Sequence, residues 1–270
     1  LQEAGLYNIL LSMTNLTINS QSVQDNIAHS KELEDMLKAG VHLGHVKSKN
    51  HTAMRPYIFT VRNTISVLDL TKTLEKLDQT LNFLKETTAQ GGMVLLVGTR
   101  PAARQIVAEV AQSLKMPYVT ERWIGGLLTN FRIVGKRIEY MESLEKERAA
   151  GGFEKYTKGE RLRKDTEIEK LHRFFDSLRL LKKMPSAVFV VDINQDETAV
   201  LEAQKMKIPT IALVDTNSNI NLVDWPIPSN DDALPAVKYM VSRVGQAIGE
   251  GQKIFEDQKA ISTQPPQNSS

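Results

Sequence analysis

Two short, continuous apolar runs late in the chain, AVFVVD (187–192) and TIALVD (210–215), constrain the fold most strongly. A strand with one face in water alternates apolar and polar residues, whereas a strand covered by helices on both faces is apolar throughout. Both runs therefore predict parallel strands in the interior of an α/β domain, with a helix from Asp196 between them.

The same alternation of strand and helix occurs in the first half of the chain. TISVLDL (64–70) and MVLLV (93–97) are predicted strands, each followed by a helix, and PYVT (117–120) adds a short strand. A helix capped by Asn230 closes the pattern. The predicted fold is a five-stranded, doubly wound parallel sheet of the flavodoxin-like kind.

The interval from 131 to 184 departs from this rhythm. Each half carries one apolar stripe at helical spacing, and the remaining positions are densely charged, which predicts two long helices with a narrow seam. Gly151 and Gly152 lie in the turn between them. We expect an inserted antiparallel coiled-coil hairpin; the alternative is a helical subdomain that packs flat on the sheet domain.

The pattern divides the chain into a discontinuous α/β domain (31–130 and 185–250), the hairpin (131–184) and two tails. The first tail, 1–30, is polar without a sustained period and is predicted to be disordered, and 251–270 is predicted to be a flexible tail.

The sequence begins with Leu1, so Met13 is a candidate native start. Residues 1–12 would then be an added extension, and a processed precursor is the alternative.

Composition excludes several classes of chemistry. The chain has no cysteine, which rules out disulfides, thiol catalysis and cysteine-based zinc sites. No apolar run approaches the roughly 20 residues that span a bilayer, and no secretory signal is evident, so a cytoplasmic location without membrane contact is expected. The net charge is only +2, so nucleic-acid binding would have to depend on local patches.

The glycine turn VGTRPAAR (97–104) bears on whether the chain is a nucleotide enzyme. It contains neither G-x-G-x-x-G nor G-x-x-x-x-G-K-[ST], the motifs that bring backbone and lysine to a nucleotide phosphate. Arg100 and Arg104 still lie at a helix N-terminus, which favours an anion. A phosphate of a polymer would fit as well as one of a cofactor, and no cofactor is predicted.

Carboxylates follow three predicted strands, where doubly wound enzymes hold metals or acid–base groups. Asp192 and Asp215 could serve a sugar-phosphate or nucleotide enzyme, whereas the competing interpretation is that they and Asp69 cap helices and shape turns. His42 and His45 form an HxxH pair that could share a metal only with a carboxylate or another histidine nearby. No metal site is predicted.

Two segments combine basic residues with aromatic ones. HVKSKNHTAMRPYIFTVRN (45–63) has almost no acid and carries Tyr57 and Phe59 among its cations, which suits phosphate contacts and base stacking. ERWIGGLLTNF (121–131) places a glycine pair after Arg122 and Trp123, which allows close contact with a partner. Trp123 could instead be buried at the base of the hairpin.

Six segments carry a resemblance to a known family, in that family's order: DMLKAGVHLGH (35–45), MRPYIFTVRN (54–63), LVGTRPAA (96–103), ERWIGGLLTNF (121–131), IPTIALVDTNSN (208–219) and IPSNDDA (227–233). Together they resemble the small ribosomal subunit protein S-two family, bacterial type, over about residues 33–250. The hairpin is similar to that family's coiled-coil insertion. Ile124 and Asn50-His51 are mild departures.

The resemblance implies a doubly wound sheet without catalytic activity. It implies binding to ribosomal RNA of the 16S type between head and body of the small subunit, beside other ribosomal proteins. It also implies late assembly and a part in holding ribosomal protein S-one, which captures messenger RNA. The predicted RNA-binding residues are Lys47, Lys49, Arg55, Arg62, Asn63, Arg100, Arg104, Arg122, Trp123 and Arg132.

Overall fold

The structure, a computed structural model, describes residues 20–262. The helices are α1 Ser20–Lys38, α2 Leu70–Ala89, α3 Pro101–Ser113, α4 Phe131–Ala149, α5 Lys158–Phe175, α6 Glu197–Met206 and α7 Leu234–Ser262. The strands are β1 Leu43–Val46, β2 Ile58–Arg62, β3 Ile65–Leu68, β4 Val94–Val97, β5 Tyr118–Val119, β6 Ala187–Val190, β7 Thr210–Val214 and β8 Trp225–Pro228.

A five-stranded parallel sheet forms the centre of the molecule, in the order β5-β4-β6-β7-β8. Counted within this sheet, the order is 2-1-3-4-5, that of the flavodoxin-like doubly wound fold. The predicted α/β class and the parallel sheet are therefore confirmed.

The identity of one strand differs from the prediction. TISVLDL contains β3, which pairs antiparallel with β1 and β2 in a separate small sheet of order β1-β3-β2. The fifth parallel strand is β8, whose sequence WPIP contains two prolines. Proline lacks an amide donor and is tolerated in an edge strand, which is where β8 lies.

Successive residues of the parallel strands pack into two cores on opposite faces of the sheet. Leu96, Phe189 and Leu213 face α2, α3 and α7. Their neighbours Leu95 and Val190 face the other side. That second core also contains side chains from α4, α6 and the loop before α4, including Val134, Ile138, Met141, Val200, Leu127 and Leu128.

The packing partners of the two helices of the predicted hairpin, α4 and α5, change along their length. Their distal ends share a small cluster of their own, formed by Leu144, Phe153 and Ile168. Nearer the sheet, Ile138 and Met141 belong to the second core instead. The two helices therefore have a cluster of their own at the distal end, and nearer the sheet they pack into the core of the α/β domain.

The ends of the described chain are helical where the sequence predicted otherwise. Helix α1 includes residues 20–30, and α7 continues to Ser262 rather than giving way to a flexible tail at 251. The side-chain amide of Gln252 donates to the Leu114 carbonyl at 2.8 Å, so this part of α7 is fastened to the body. Residues 1–19 and 263–270, on which the remaining tail predictions fall, lie outside the described residues. No helix of the described part has the length and apolarity that a membrane span requires.

Candidate functional site

The basic segment 45–63 spans the end of β1, two 3-10 turns and β2. The side chains of Lys47, Lys49, Arg55 and Arg62 are exposed. Within residues 29–260, none of the four forms an ion pair with a carboxylate. Their charge is therefore available to an anionic partner.

The tip of the β2–β3 hairpin completes this surface. Asn63 and Thr64 have φ values of +47° and +68°, the two positive angles of a tight hairpin turn that follows Arg62. Phe59, in the same strand as Arg62, has an exposed fraction of 48%. Tyr57 is different, because it packs against the second core. Phe59 is thus the aromatic ring available for stacking.

The segment is fastened to loops that follow the strands of the parallel sheet. The His45 amide donates to Thr216 Oγ1 at 2.8 Å, and the His51 amide donates to the Thr216 carbonyl at 2.8 Å. Asn50 Nδ2 donates to Ser66 Oγ at 2.7 Å. These contacts hold the basic side chains on a fixed frame.

Arg100 does not join the basic surface. Its Nε lies 2.7 Å from Asp192 Oδ2 and its Nη1 lies 3.3 Å from Asp231 Oδ1, and it also pairs with Asp232. Carboxylates on three sides neutralise the guanidinium and would repel a phosphate. The structure therefore corrects the predicted RNA contact of Arg100: the residue is a structural ion-pair partner.

His45 lies beside the same carboxylates. Its Nδ1 is 2.9 Å from Asp215 Oδ2 and its Nε2 is 3.2 Å from Asp232 Oδ2. The hydrogen bond to Asp215 raises the pKa of His45, and burial raises the pKa of Asp231 to about 7. The carboxyl edge of the sheet thus carries a network in which two basic side chains, Arg100 and His45, are surrounded by aspartates.

Three of these residues could hold a cation by their chemistry. The ligand atoms of His45, Asp215 and Asp232 all lie within 4.8 Å of one another, and an imidazole with two carboxylates is a donor set that divalent metals use. His42 is not part of this group, and burial lowers its pKa. The HxxH pair therefore does not converge on one point.

The aspartates that follow the strands also have local hydrogen bonds. Asp192 Oδ1 accepts from the amides of Asn194 and Gln195 at 2.8 and 3.1 Å, and so shapes the turn after β6. Asp69 accepts from the Thr71 amide at 3.1 Å, at the start of α2. The interpretation is confirmed for Asp69, which caps α2, and for Asp192, which shapes a turn. Asp192 is also paired with Arg100, and Asp215 is paired with His45.

The loop 121–130 is organised by Glu202, a residue that the sequence analysis missed. Glu202 lies within α6 and is 8% exposed. Its Oε1 accepts from Trp123 Nε1 at 3.1 Å and from the Gly126 amide at 2.7 Å. Its Oε2 accepts from the amides of Leu128 and Thr129 and from Thr129 Oγ1, at 3.0, 3.1 and 3.1 Å.

A signal for Glu202 was present in the sequence. It stands three residues after Ala199 and next to Ala203, on the apolar stripe of α6, where a carboxylate must find donors. Burial disfavours the ionised form of Glu202, but the hydrogen bonds outweigh this and its pKa is lowered.

Trp123 and Arg122 face in different directions. Trp123 is 7% exposed and belongs to the second core, so its predicted RNA contact is corrected in favour of the buried alternative. Arg122 is exposed, as are Arg104 and Arg132. Arg104 Nε donates to the Thr99 carbonyl at 2.8 Å, which fixes the base of its guanidinium while leaving it in contact with solvent.

Comparison with known proteins finds relatives over most of the chain. A family described as Ribosomal protein S2 matches residues 36–251. The small ribosomal subunit protein uS2 of Roseiflexus castenholzii is 42% identical over 225 residues, which cover 83% of this chain and 86% of the relative. The protein of the same name from Mycobacteroides abscessus is 44% identical over 219 residues, covering 81% of this chain and 79% of the relative.

Proposed function

The chain belongs to the ribosomal protein S2 family, and from this membership we propose that it binds small-subunit ribosomal RNA through its basic segment and its loop 121–130. Members of this family are structural proteins of the small ribosomal subunit, not enzymes, and they act in translation; in bacteria they are part of the cytoplasmic ribosome. The finer proposal concerns which side chains meet the RNA.

The observation that carries the proposal is the unpaired charge of the basic segment. Lys47, Lys49, Arg55 and Arg62 are exposed on a rigid frame, in a chain whose net charge is only +2. Local clusters of this kind neutralise phosphates, and an exposed ring such as Phe59 can stack on an unpaired base. The proposed contact residues are Lys47, Lys49, Arg55, Arg62, Asn63, Arg104, Arg122 and Arg132.

The test measures how salt affects association with small subunits depleted of this protein. A variant with Lys47, Lys49, Arg55 and Arg62 all changed to Ala should bind more weakly, and its affinity should depend less on salt. Each lost phosphate contact lowers the slope of log K against log salt by about 0.7 to 0.9, so the four changes should lower it by about 3.

A matched variant controls for the loss of charge. Lys170, Lys205, Lys238 and Lys253 are also exposed, and their joint replacement by Ala removes the same four charges elsewhere. It should keep the salt slope of the wild type. Equal slopes for the two quadruple variants would contradict the assignment of the RNA contacts to the basic segment.

We also propose that the chain contacts neighbouring small-subunit proteins and helps to retain ribosomal protein S-one, with α4 and α5 as an inserted coiled-coil hairpin. The family membership and the separate distal cluster of Leu144, Phe153 and Ile168 support this proposal. Subunits reconstituted with the wild-type chain should retain S-one through sedimentation, and subunits lacking the chain should lose it. Equal retention would contradict the role.

A further inference from the structure

The adjacent glycines Gly125 and Gly126 stand in contrasting environments. Gly126 has a φ of +88°, and a Cβ there would lie 3.2 Å from Asn130 Cβ, so the fold itself requires glycine. Gly125 is not among the glycines with positive φ, and a Cβ there would meet no atom within 4 Å. The fold therefore gives no reason for glycine at position 125.

Gly135, in the second turn of α4, has open surroundings like those of Gly125. A Cβ at this position would also meet nothing within 4 Å, and the residue lies inside a helix, where glycine is less favourable than alanine. Arg132 and Lys136 stand three residues before it and one after it, and both are exposed. Arg132, Gly135 and Lys136 share one face of α4 because residues three and four apart are neighbours on a helix.

Hydrogen bonds fix the backbone on which both glycines lie. Glu202 accepts from the Gly126 amide at 2.7 Å, immediately after Gly125. The Asn130 amide donates to the Gly126 carbonyl at 2.8 Å, and the Val134 amide donates to the Asn130 carbonyl at 3.3 Å. These hydrogen bonds join the loop to the first turns of α4. They fix the position of the backbone at Gly125 and Gly135, where no side chain covers it.

We propose that Gly125 and Gly135 mark a close-contact site at which an RNA sugar–phosphate strand lies directly against the protein backbone. The missing side chains leave space that nothing within the described chain fills. Exposed Arg122, Arg132 and Lys136 provide the positive charge that selects a phosphate strand over a neutral partner. The inference depends on the proposed RNA binding and adds the place where the strand comes closest.

The test uses Gly125→Ala and Gly135→Ala in the full-length protein, with depleted small subunits as the probe. Both variants should melt at or above the wild-type temperature, because alanine restricts the unfolded chain. Each should bind subunits about tenfold more weakly, since the added methyl group separates the two backbones and a tenfold loss equals ~1.4 kcal/mol. Gly125→Val should weaken association further than Gly125→Ala.

Two other glycines serve as controls. Gly159→Ala adds a methyl group at an equally open position in α5, in the other helix of the pair. It should also melt at or above the wild-type temperature, but it should leave association unchanged. Gly126→Ala should lower the melting temperature because of its positive φ.

Each outcome separates this inference from the proposed function. If the wild type binds subunits and Gly125→Ala and Gly135→Ala bind equally well, the close-contact site is wrong while RNA binding stands. A lowered melting temperature for Gly125→Ala would also overturn the inference, because the glycine would then serve the fold. If the wild type itself does not bind, the proposed function fails.

Discussion

Replacing Glu202 by Gln tests most directly how the loop before α4 is held in place. Gln keeps the shape of the side chain but exchanges one acceptor oxygen for a donor NH2 group. In the wild type both oxygens accept from the loop, so either orientation of the amide places a donor against other donors. At least two hydrogen bonds are lost, together with the charge that strengthens the rest.

The expected cost follows from the number of lost contacts. A hydrogen bond to a charged acceptor contributes about 1.5 to 3 kcal/mol, so losing two costs about 3 kcal/mol when some released amides reach water. For a chain of this size, that corresponds to a fall in the melting temperature of about 6 to 12 °C.

The pH dependence of the unfolding free energy gives an independent check on the role of Glu202. The folded-state pKa of Glu202 is lowered: burial opposes the ionised form, but the loop's hydrogen bonds outweigh it. A lowered folded-state pKa means that the stabilisation is fully present above the unfolded pKa of about 4.3 and is lost as pH falls through the folded value. The difference in unfolding free energy between the wild type and Glu202→Gln should therefore be constant above about pH 5 and shrink below it.

Urea denaturation of both proteins from pH 7 down to acid pH measures this difference. Glu256→Gln, an exposed change in α7, is the matched control and should stay within about 0.5 kcal/mol of the wild type. A loss below about 1 kcal/mol for Glu202→Gln, or a difference that does not shrink in acid, would refute the assignment of Glu202 as the organiser of the loop.

Three further predictions concern neighbouring parts of the molecule. Trp123→Ala should cost about 3 to 5 kcal/mol of folding free energy because the indole is buried, whereas Arg122→Ala should leave melting unchanged and weaken subunit co-sedimentation. Arg100→Ala should destabilise by about 3 to 5 kcal/mol in denaturant titrations, because it leaves buried carboxylates unpaired, and a near-neutral effect would contradict this. Replacing 145–167 by a Gly/Ser linker should preserve cooperative unfolding, whereas removing 135–182 should lower the melting temperature because core residues are lost.

The sequence predicted the elements whose signal is local. Continuous apolar runs identified β4, β6 and β7, because burial on both faces leaves no polar position. The edge strand β8 was missed because Pro226 and Pro228 disfavour an interior strand. Strand β3 was assigned to the wrong sheet because a strand of four residues does not indicate which strand it pairs with.

Interactions between distant residues were the part that could not be predicted. Arg100 at a helix N-terminus has the sequence of an anion site, and only the fold brings Asp231 and Asp232 to it from the far end of β8. Trp123 and Glu202 are 79 positions apart, and neither residue alone indicates the other. The exposed cations of 45–63 were easier to predict, because that segment contains no acidic residue of its own.

The attachment of β1 to the late loops has a consequence for biosynthesis. His45 bonds to Asp215 and Thr216, and the aspartates beside it extend to Asp232. A nascent chain that has reached only β4 has none of these anchors, so its basic segment has no frame to hold it. The small sheet can dock only after β7 and the loop after β8 have been synthesised, and long-range pairing of this kind is slow. Synthesis of the chain through Asp232 therefore precedes completion of the basic surface.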